Sequence, residues 1–190
     1  MTAEPNVNLD TSLLVDVDPE QLSREQLIDL VRDLQRALVD RVRTTSAVNP
    51  PIRQPARPVP GADYTIVFDG GSLGNPGLGY GSYEIVGADG SVAARQIEFG
   101  NGMTNNQAEF RALIAGLDDL WTREAANANE LSIAVRGDSQ LVIRGLSGEW
   151  RVKHPGLQPL HRQASELLKR FRHVDLAWHP RRESLRTFGH

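Results

Sequence analysis

The spacing of apolar positions changes along the chain, and the changes divide it. Leu27, Leu30, Val31, Leu34, Leu38 and Val42 recur at three- and four-residue steps, while Arg24, Asp29, Arg32, Asp33, Arg36 and Asp40 fill the positions between. That spacing predicts a helix over residues 18–43 with one apolar face. Asp18-Pro19-Glu20 supplies a start, with a capping side chain, a proline in the first turn and an acid near the positive end. Ser23-x-x-Gln26 offers a second start as a capping box. The apolar face lasts about three heptads, the lower limit for a coiled coil. It is expected to form a homodimer, with a partner protein or the main domain as other occupants of that face. Residues 1–17 carry few apolar anchors and are expected to be disordered. Residues 44–61 contain Pro50, Pro51, Pro55, Pro58 and Pro60, which forbid helix and favour an extended linker. The domain boundary is placed there, leaving 62–190 as the main domain.

From Ala62 the pattern becomes that of strands. Tyr64 to Phe68 are all β-branched or aromatic, and Asp69 with the Gly, Ser, Asn and Pro that follow reads as a turn. Gly79 to Val86 and Val92 to Phe99 form a second and third strand around the hairpin turn Gly87-Ala-Asp-Gly90. Short turns make these three antiparallel. Helices are predicted over Thr104–Trp121, Ser139–Leu146 and Pro159–Phe171, and strands over Leu131–Val135 and Val174–Trp178. Helical crossovers set the last two strands parallel to the first. The order βββαβααβ predicts an α/β fold: a five-stranded mixed sheet with helices on both faces.

Composition narrows the chemistry. The chain has no cysteine, which excludes disulfides and thiolate metal sites. It shows neither a membrane-length apolar run nor a signal sequence, so a cytoplasmic location is expected. The net charge of -3 is unevenly spread: Arg144 to Arg186 holds ten Lys+Arg against Glu149, Glu166, Asp175 and Glu183. A basic region in an acidic chain suits a phosphate-backbone ligand, and equally a solvated helix face.

Three acids fall at corresponding element ends. Asp69 ends the first strand, Glu109 lies one turn into the first helix, and Asp138 follows the fourth strand. Groups at the carboxyl ends of neighbouring strands meet in one crevice. Converging carboxylates repel unless cations lie between them, and Mg²⁺ is the natural choice. Each acid also has a plainer account: Asp69 closing a turn, Glu109 on an exposed helix face, Asp138 capping the next helix.

Phe68-Asp-Gly-Gly-Ser72 with Asn75-Pro-Gly77, Thr104-Asn-Asn-Gln-Ala-Glu-Phe-Arg-Ala-Leu113 and Gly137-Asp-Ser-Gln-Leu141 resemble, in order and spacing, the three signature blocks of type 1 ribonuclease H. Gly148-Glu-Trp-Arg-Val-Lys153 and Trp178-His-Pro-Arg181 are similar to later segments of compact members that lack a basic handle. The resemblance spans about Ala62 to Arg182. It implies a ribonuclease H-like fold and endonucleolytic hydrolysis of the RNA strand of an RNA–DNA hybrid. It implies two Mg²⁺ ions, replaceable by Mn²⁺, on Asp69, Glu109 and Asp138. Asn75, Asn105 and Asn106 match residues facing the minor groove and its sugar hydroxyls, and Thr104 matches a phosphate contact. Capping is the plainer role for Thr104 and Asn105.

One block departs from the family. Eight residues after Pro180, where the pattern has a fourth carboxylate leading into a final helix, the residue is Phe188 and the chain stops shortly after. That final helix is expected to be missing. His190 and Glu183 are the nearby candidates for the lost metal ligand. The departure raises a second possibility, a catalytically impaired module that binds hybrids as an adaptor. A nuclease of the same fold acting on DNA is a third.

Overall fold

A computed structural model of the chain describes residues 54–189, with Arg24 alone before them. Two compact units divide the chain, residues 1–45 and 46–190. The helix predicted over 18–43, Arg24 apart, the dimer expected from it and the disorder expected over 1–17 concern residues outside the described ones, as does His190.

The described chain runs β1 (Tyr64–Gly74), β2 (Gly77–Gly87), β3 (Val92–Met103), α1 (Asn105–Arg123), a 3-10 turn (Ala128–Glu130), β4 (Ser132–Gly137), α2 (Gln140–Leu146), α3 (Gln158–Leu168), β5 (His173–Trp178) and α4 (Arg181–Phe188). The sheet order is β3-β2-β1-β4-β5. β1, β2 and β3 pair antiparallel, whereas β4 and β5 join parallel to β1 and to each other, as the short turns and helical crossovers require. No helix of the described residues is long and apolar enough to cross a membrane.

Two features differ from the expectation. β1 does not turn at Asp69. Its antiparallel pairing with β2 continues to Gly74↔Gly77, while its parallel pairing with β4 stops at Phe68↔Gly137. Asp69 therefore lies just past the parallel part of the strand and inside the strand itself. The glycines after it answer to crowding: a Cβ on Gly70 would lie 2.5 Å from the backbone of Ala108 and Glu109, and one on Gly71 would lie 2.6 Å from the Tyr80 hydroxyl. Secondly, a helix does follow β5. Extended Pro180 leads into α4, and Gly189 closes it at φ 80 in the left-handed conformation that glycine adopts readily.

Strand alternation then sorts the two faces of the sheet. Ile66 and Phe68 of β1 and Ile133 and Val135 of β4 join Phe110, Leu113, Leu117 and Leu120 of α1 and Leu167 of α3 in one buried cluster. Thr65, Val67 and Asp69 fall on the other face by the same alternation. Thr65 and Val67 line a cavity there with Ala56, Val59, His179 and Thr187. The end of the proline-rich stretch lies against this second face. The Ala56 N–H donates to Glu84 Oε1 at 2.6 Å, Val59 to Thr65 Oγ1 at 2.8 Å, and Gln54 to the Arg186 carbonyl at 3.3 Å. These bonds cross the boundary placed at residue 61. A chain beginning at residue 62 should be less stable than one beginning at residue 54 by about 2–4 kcal/mol, since it loses three donors, one of them to a carboxylate. Urea unfolding of the two truncations tests this, and equal midpoints would contradict it.

Candidate active site

The end of the β1–β4 pairing holds two of the acids. The Asp69 side chain is 1% exposed and that of Asp138 is 6% exposed. The tight fit at Gly70 presses the start of α1 onto β1, which brings Glu109 to the same place. The Ser139 hydroxyl donates to Glu109 Oε2 and accepts from the Val142 N–H at 3.4 Å. Ser139 is thus the N-cap of α2. Asp138 is not spent on that task, which removes its plainer account. The Trp178 indole N–H steadies Asp138 from β5 by donating to its carbonyl at 3.0 Å.

Arg181, the first residue of α4, completes the cluster. Its Nη1 donates to Asp69 Oδ1 at 3.1 Å and to Asp138 Oδ2 at 3.2 Å. Burial pushes the Asp69 carboxyl up to about 6, with the Asp138 charge adding to the shift and Arg181 opposing it. Burial likewise pushes Glu109 up to about 7, against the Ser139 hydrogen bond and with repulsion from Asp138 and Asp69. Burial opposes charge on Arg181 as well, but Asp69 and Asp138 hold its pKa above the ordinary value. The donor set is oxygen-only and acidic, and a cation already bridges two of its members. Both features fit a hard divalent ion such as Mg²⁺. Among the described residues, no three His, Asp or Glu side chains are placed so that they hold one ion as they stand. Between two of the acids stands Arg181.

The residues expected to face a substrate lie beside this crevice. Thr104 caps α1 in a capping box with Gln107. Asn105 Oδ1 accepts from the Ser72 N–H at 2.8 Å, and Asn75 Oδ1 accepts from the Asn105 N–H at 3.2 Å, which ties the β1–β2 turn to the start of α1. Asn106 is exposed. Thr104 thus has the capping role that was its plainer account, whereas Asn105 does not cap and, with Asn75, tethers the turn. Glu183 pairs with Arg186 at 3.2 Å and lines the cavity on the second face, and Phe188 is 4% exposed. His179 lies on that cavity too, with Nε2 3.0 Å from Ser184 Oγ, and burial lowers its pKa. Part of the basic excess is taken up locally: Arg144 and Arg170 stack over Trp150 and Trp121, and Lys169 pairs with Glu166.

Sequence reasoning missed two contributors. Ser139 lies inside a quoted motif, and its small hydroxyl one residue after the acid was a readable capping signal. Arg181 had no such signal, because only the packing of α4 carries it to acids far back in the chain.

A family model described as "Reverse transcriptase-like" matches residues 75–185. The "Bifunctional protein Rv2228c" of Mycobacterium tuberculosis is 44% identical over 117 residues, covering 61% of this chain and 31% of that protein. The solved N-terminal RNase H domain of rv2228c, fused to maltose-binding protein, is 43% identical with a TM-score of 0.57, covering 64% of this chain and 85% of that one. The chain belongs to the type 1 ribonuclease H family. Other members agree: the "Ribonuclease HI" of Halobacterium salinarum is 39% identical over 123 residues, covering 62% of this chain and 59% of that protein. LC11-RNase H1, solved in complex with an RNA/DNA hybrid, is 28% identical with a TM-score of 0.59, covering 65% of this chain and 89% of that one. The chain spans 31% of the length of the mycobacterial relatives it matches.

Proposed function

We propose that residues 62–190 form an endoribonuclease that hydrolyses the RNA strand of RNA–DNA hybrids. The observation that carries this reading is the pair of buried acids Asp69 and Asp138 bridged by Arg181 just past the β1–β4 pairing, with the pKa of Glu109 raised by burial and by the charges of both. Family membership and the hybrid held by LC11-RNase H1 support the substrate class.

Asp69, Glu109 and Asp138 would hold two Mg²⁺, with Mn²⁺ as a substitute, which when bound would supply activation of a water and neutralisation of charge at the leaving oxygen. Hydrolysis forms one P–O bond to water and breaks the P–O3′ bond, leaving 3′-hydroxyl and 5′-phosphate ends. The chain's own residues set the stage. Ser139 fixes the Glu109 carboxylate, and Trp178 fixes the Asp138 backbone. The amide nitrogens of Asn75, Asn105 and Asn106 supply donors for a 2′-hydroxyl, the group that separates RNA from DNA. Thr104, at the positive end of α1, suits a phosphate of the DNA strand.

A second reading has an observation of its own. Phe188, buried and apolar, stands at the position where the resemblance expects a fourth acid, which favours a module that binds hybrids without turnover. Substrates that differ only in their sugars separate the readings. Cutting of the hybrid but not of the same sequence as duplex DNA is expected. Binding without cutting favours the adaptor, and equal cutting of both favours a DNA nuclease.

A further inference from the structure

Arg181 is the charged residue of the crevice that the proposed reaction leaves without a task. One nitrogen of its guanidinium reaches Asp69 Oδ1 and Asp138 Oδ2 at 3.1 and 3.2 Å. The two acids are almost wholly buried, at 1% and 6% side-chain exposure, whereas the arginine side chain is 55% exposed. The cation therefore reaches in from the solvent side and closes the crevice over acids that have little water of their own. Two neighbouring buried carboxylates need a positive charge between them. In the protein as it stands, Arg181 supplies it.

A divalent ion seeks the same oxygens. It cannot share them with a guanidinium at hydrogen-bond distance, because the two cations repel and compete for the same lone pairs. We infer that Arg181 is an internal counter-ion that the incoming divalent cation displaces, so that metal entry and Arg181 release form one exchange. The inference rests on the reading of these acids as the metal site.

The surroundings suit such an exchange. The backbone at Arg181 is held by extended Pro180 on one side and, at the far end of α4, by Phe188, which is 4% exposed, and by the left-handed turn at Gly189. The side chain has the length and the exposure to swing into solvent while α4 stays in place. The energetic consequence is fixed by linkage. Whatever Arg181 contributes to holding the acids is subtracted from metal affinity, and bound metal weakens the arginine's hold to the same degree.

The test is direct metal binding to the full chain without substrate. Mn²⁺ titration calorimetry at one ionic strength compares wild type, Arg181→Gln and Arg181→Lys. Arg181→Gln should bind Mn²⁺ about tenfold more tightly, and Arg181→Lys, which keeps a cation, should stay within about threefold of wild type. On wild type, the Arg181 Nε–H resonance, assigned by its loss in Arg181→Lys, should shift on Mg²⁺ addition in step with occupancy. An affinity in folded Arg181→Gln no tighter than wild type overturns the exchange, as does an Arg181 resonance unmoved at saturating Mg²⁺. If Arg181→Gln does not fold, the resonance decides. Binding that Asp69→Asn abolishes but Arg181→Gln does not tighten sinks the exchange alone. No Mn²⁺ binding by any form sinks the metal-site reading along with it.

Discussion

Asp69→Asn is expected to reduce hydrolysis of an RNA–DNA hybrid by at least about a thousandfold and, at the same time, to make the metal-free protein more stable above neutral pH. The first effect follows from the position of Asp69, the most buried of three acids that would share the cations, where an amide supplies one neutral oxygen in place of a charged pair. The second follows from the same burial. The folded-state pKa of Asp69 is about 6 against an ordinary 3.8. Between those values the unfolded chain gives up a proton that the folded chain keeps. The stability this group contributes is therefore fully present below about pH 4 and is lost as pH rises through about 6. Glu109, pushed from 4.5 to about 7, acts in the same direction over a slightly higher window. Above pH 7 both carboxylates are charged and buried, with Arg181 offsetting part of the cost. Removing the Asp69 charge should restore on the order of 2 kcal/mol at pH 8 and almost nothing at pH 4. Thermal unfolding with a chelator, from pH 4 to 8, should give a flatter profile for the variant than for wild type. Added Mg²⁺ should raise the midpoint of wild type more than that of the variant. A variant less stable than wild type at pH 8 would contradict this account of the site's electrostatics.

Gly70→Ala should damage both the fold and the chemistry. The added methyl would lie 2.5 Å from the backbone carbonyl carbon of Ala108 and the amide of Glu109, atoms that cannot rotate away as the end of a side chain can. Either α1 lifts from β1 or the strand bends. Overpacking of this kind costs about 2–3 kcal/mol, roughly a 10 °C fall in the unfolding midpoint for a domain of this size. The displaced residue is Glu109 itself, so activity should fall about a hundredfold even at a temperature where the variant is folded. Cleavage assays well below the midpoint separate the two effects. Full activity in a destabilised variant would show that the close approach serves packing alone.

The contrast between Gly70 and Arg181 shows what the sequence could and could not reveal. Alternating and β-branched runs, the hairpin turn at Gly87 to Gly90 and the apolar spacing of α1 are local signals, and the five strands and the helices α1, α2 and α3 were legible from them. The three acids were readable as candidates because Asp69 directly follows the β1–β4 pairing, Glu109 lies near the start of α1 and Asp138 follows β4. Gly70 was visible but misread: a run of glycines reads as a turn when the neighbour that needs the space is 38 residues away in the chain, as Ala108 is. The eight residues of α4, Arg-Arg-Glu-Ser-Leu-Arg-Thr-Phe, were too polar to announce a helix. Arg181 was quoted only as part of a strand-end motif. Nothing local says that its guanidinium reaches back to Asp69 and Asp138, since that contact depends on how α4 leaves β5. The lie of residues 54–59 on the sheet was hidden for the same reason: prolines say that a segment is extended, not what it touches.

The central claim is that these acids, supplied with divalent cations, cut RNA paired with DNA. One hybrid, labelled in separate reactions on its RNA and on its DNA strand, tests it when incubated with the full chain in Mg²⁺, in Mn²⁺ and in chelator. The account predicts fragments of the RNA strand alone, ending in 3′-hydroxyl groups, in either metal and none in chelator. An intact RNA strand in both metals, with the hybrid bound, would contradict it.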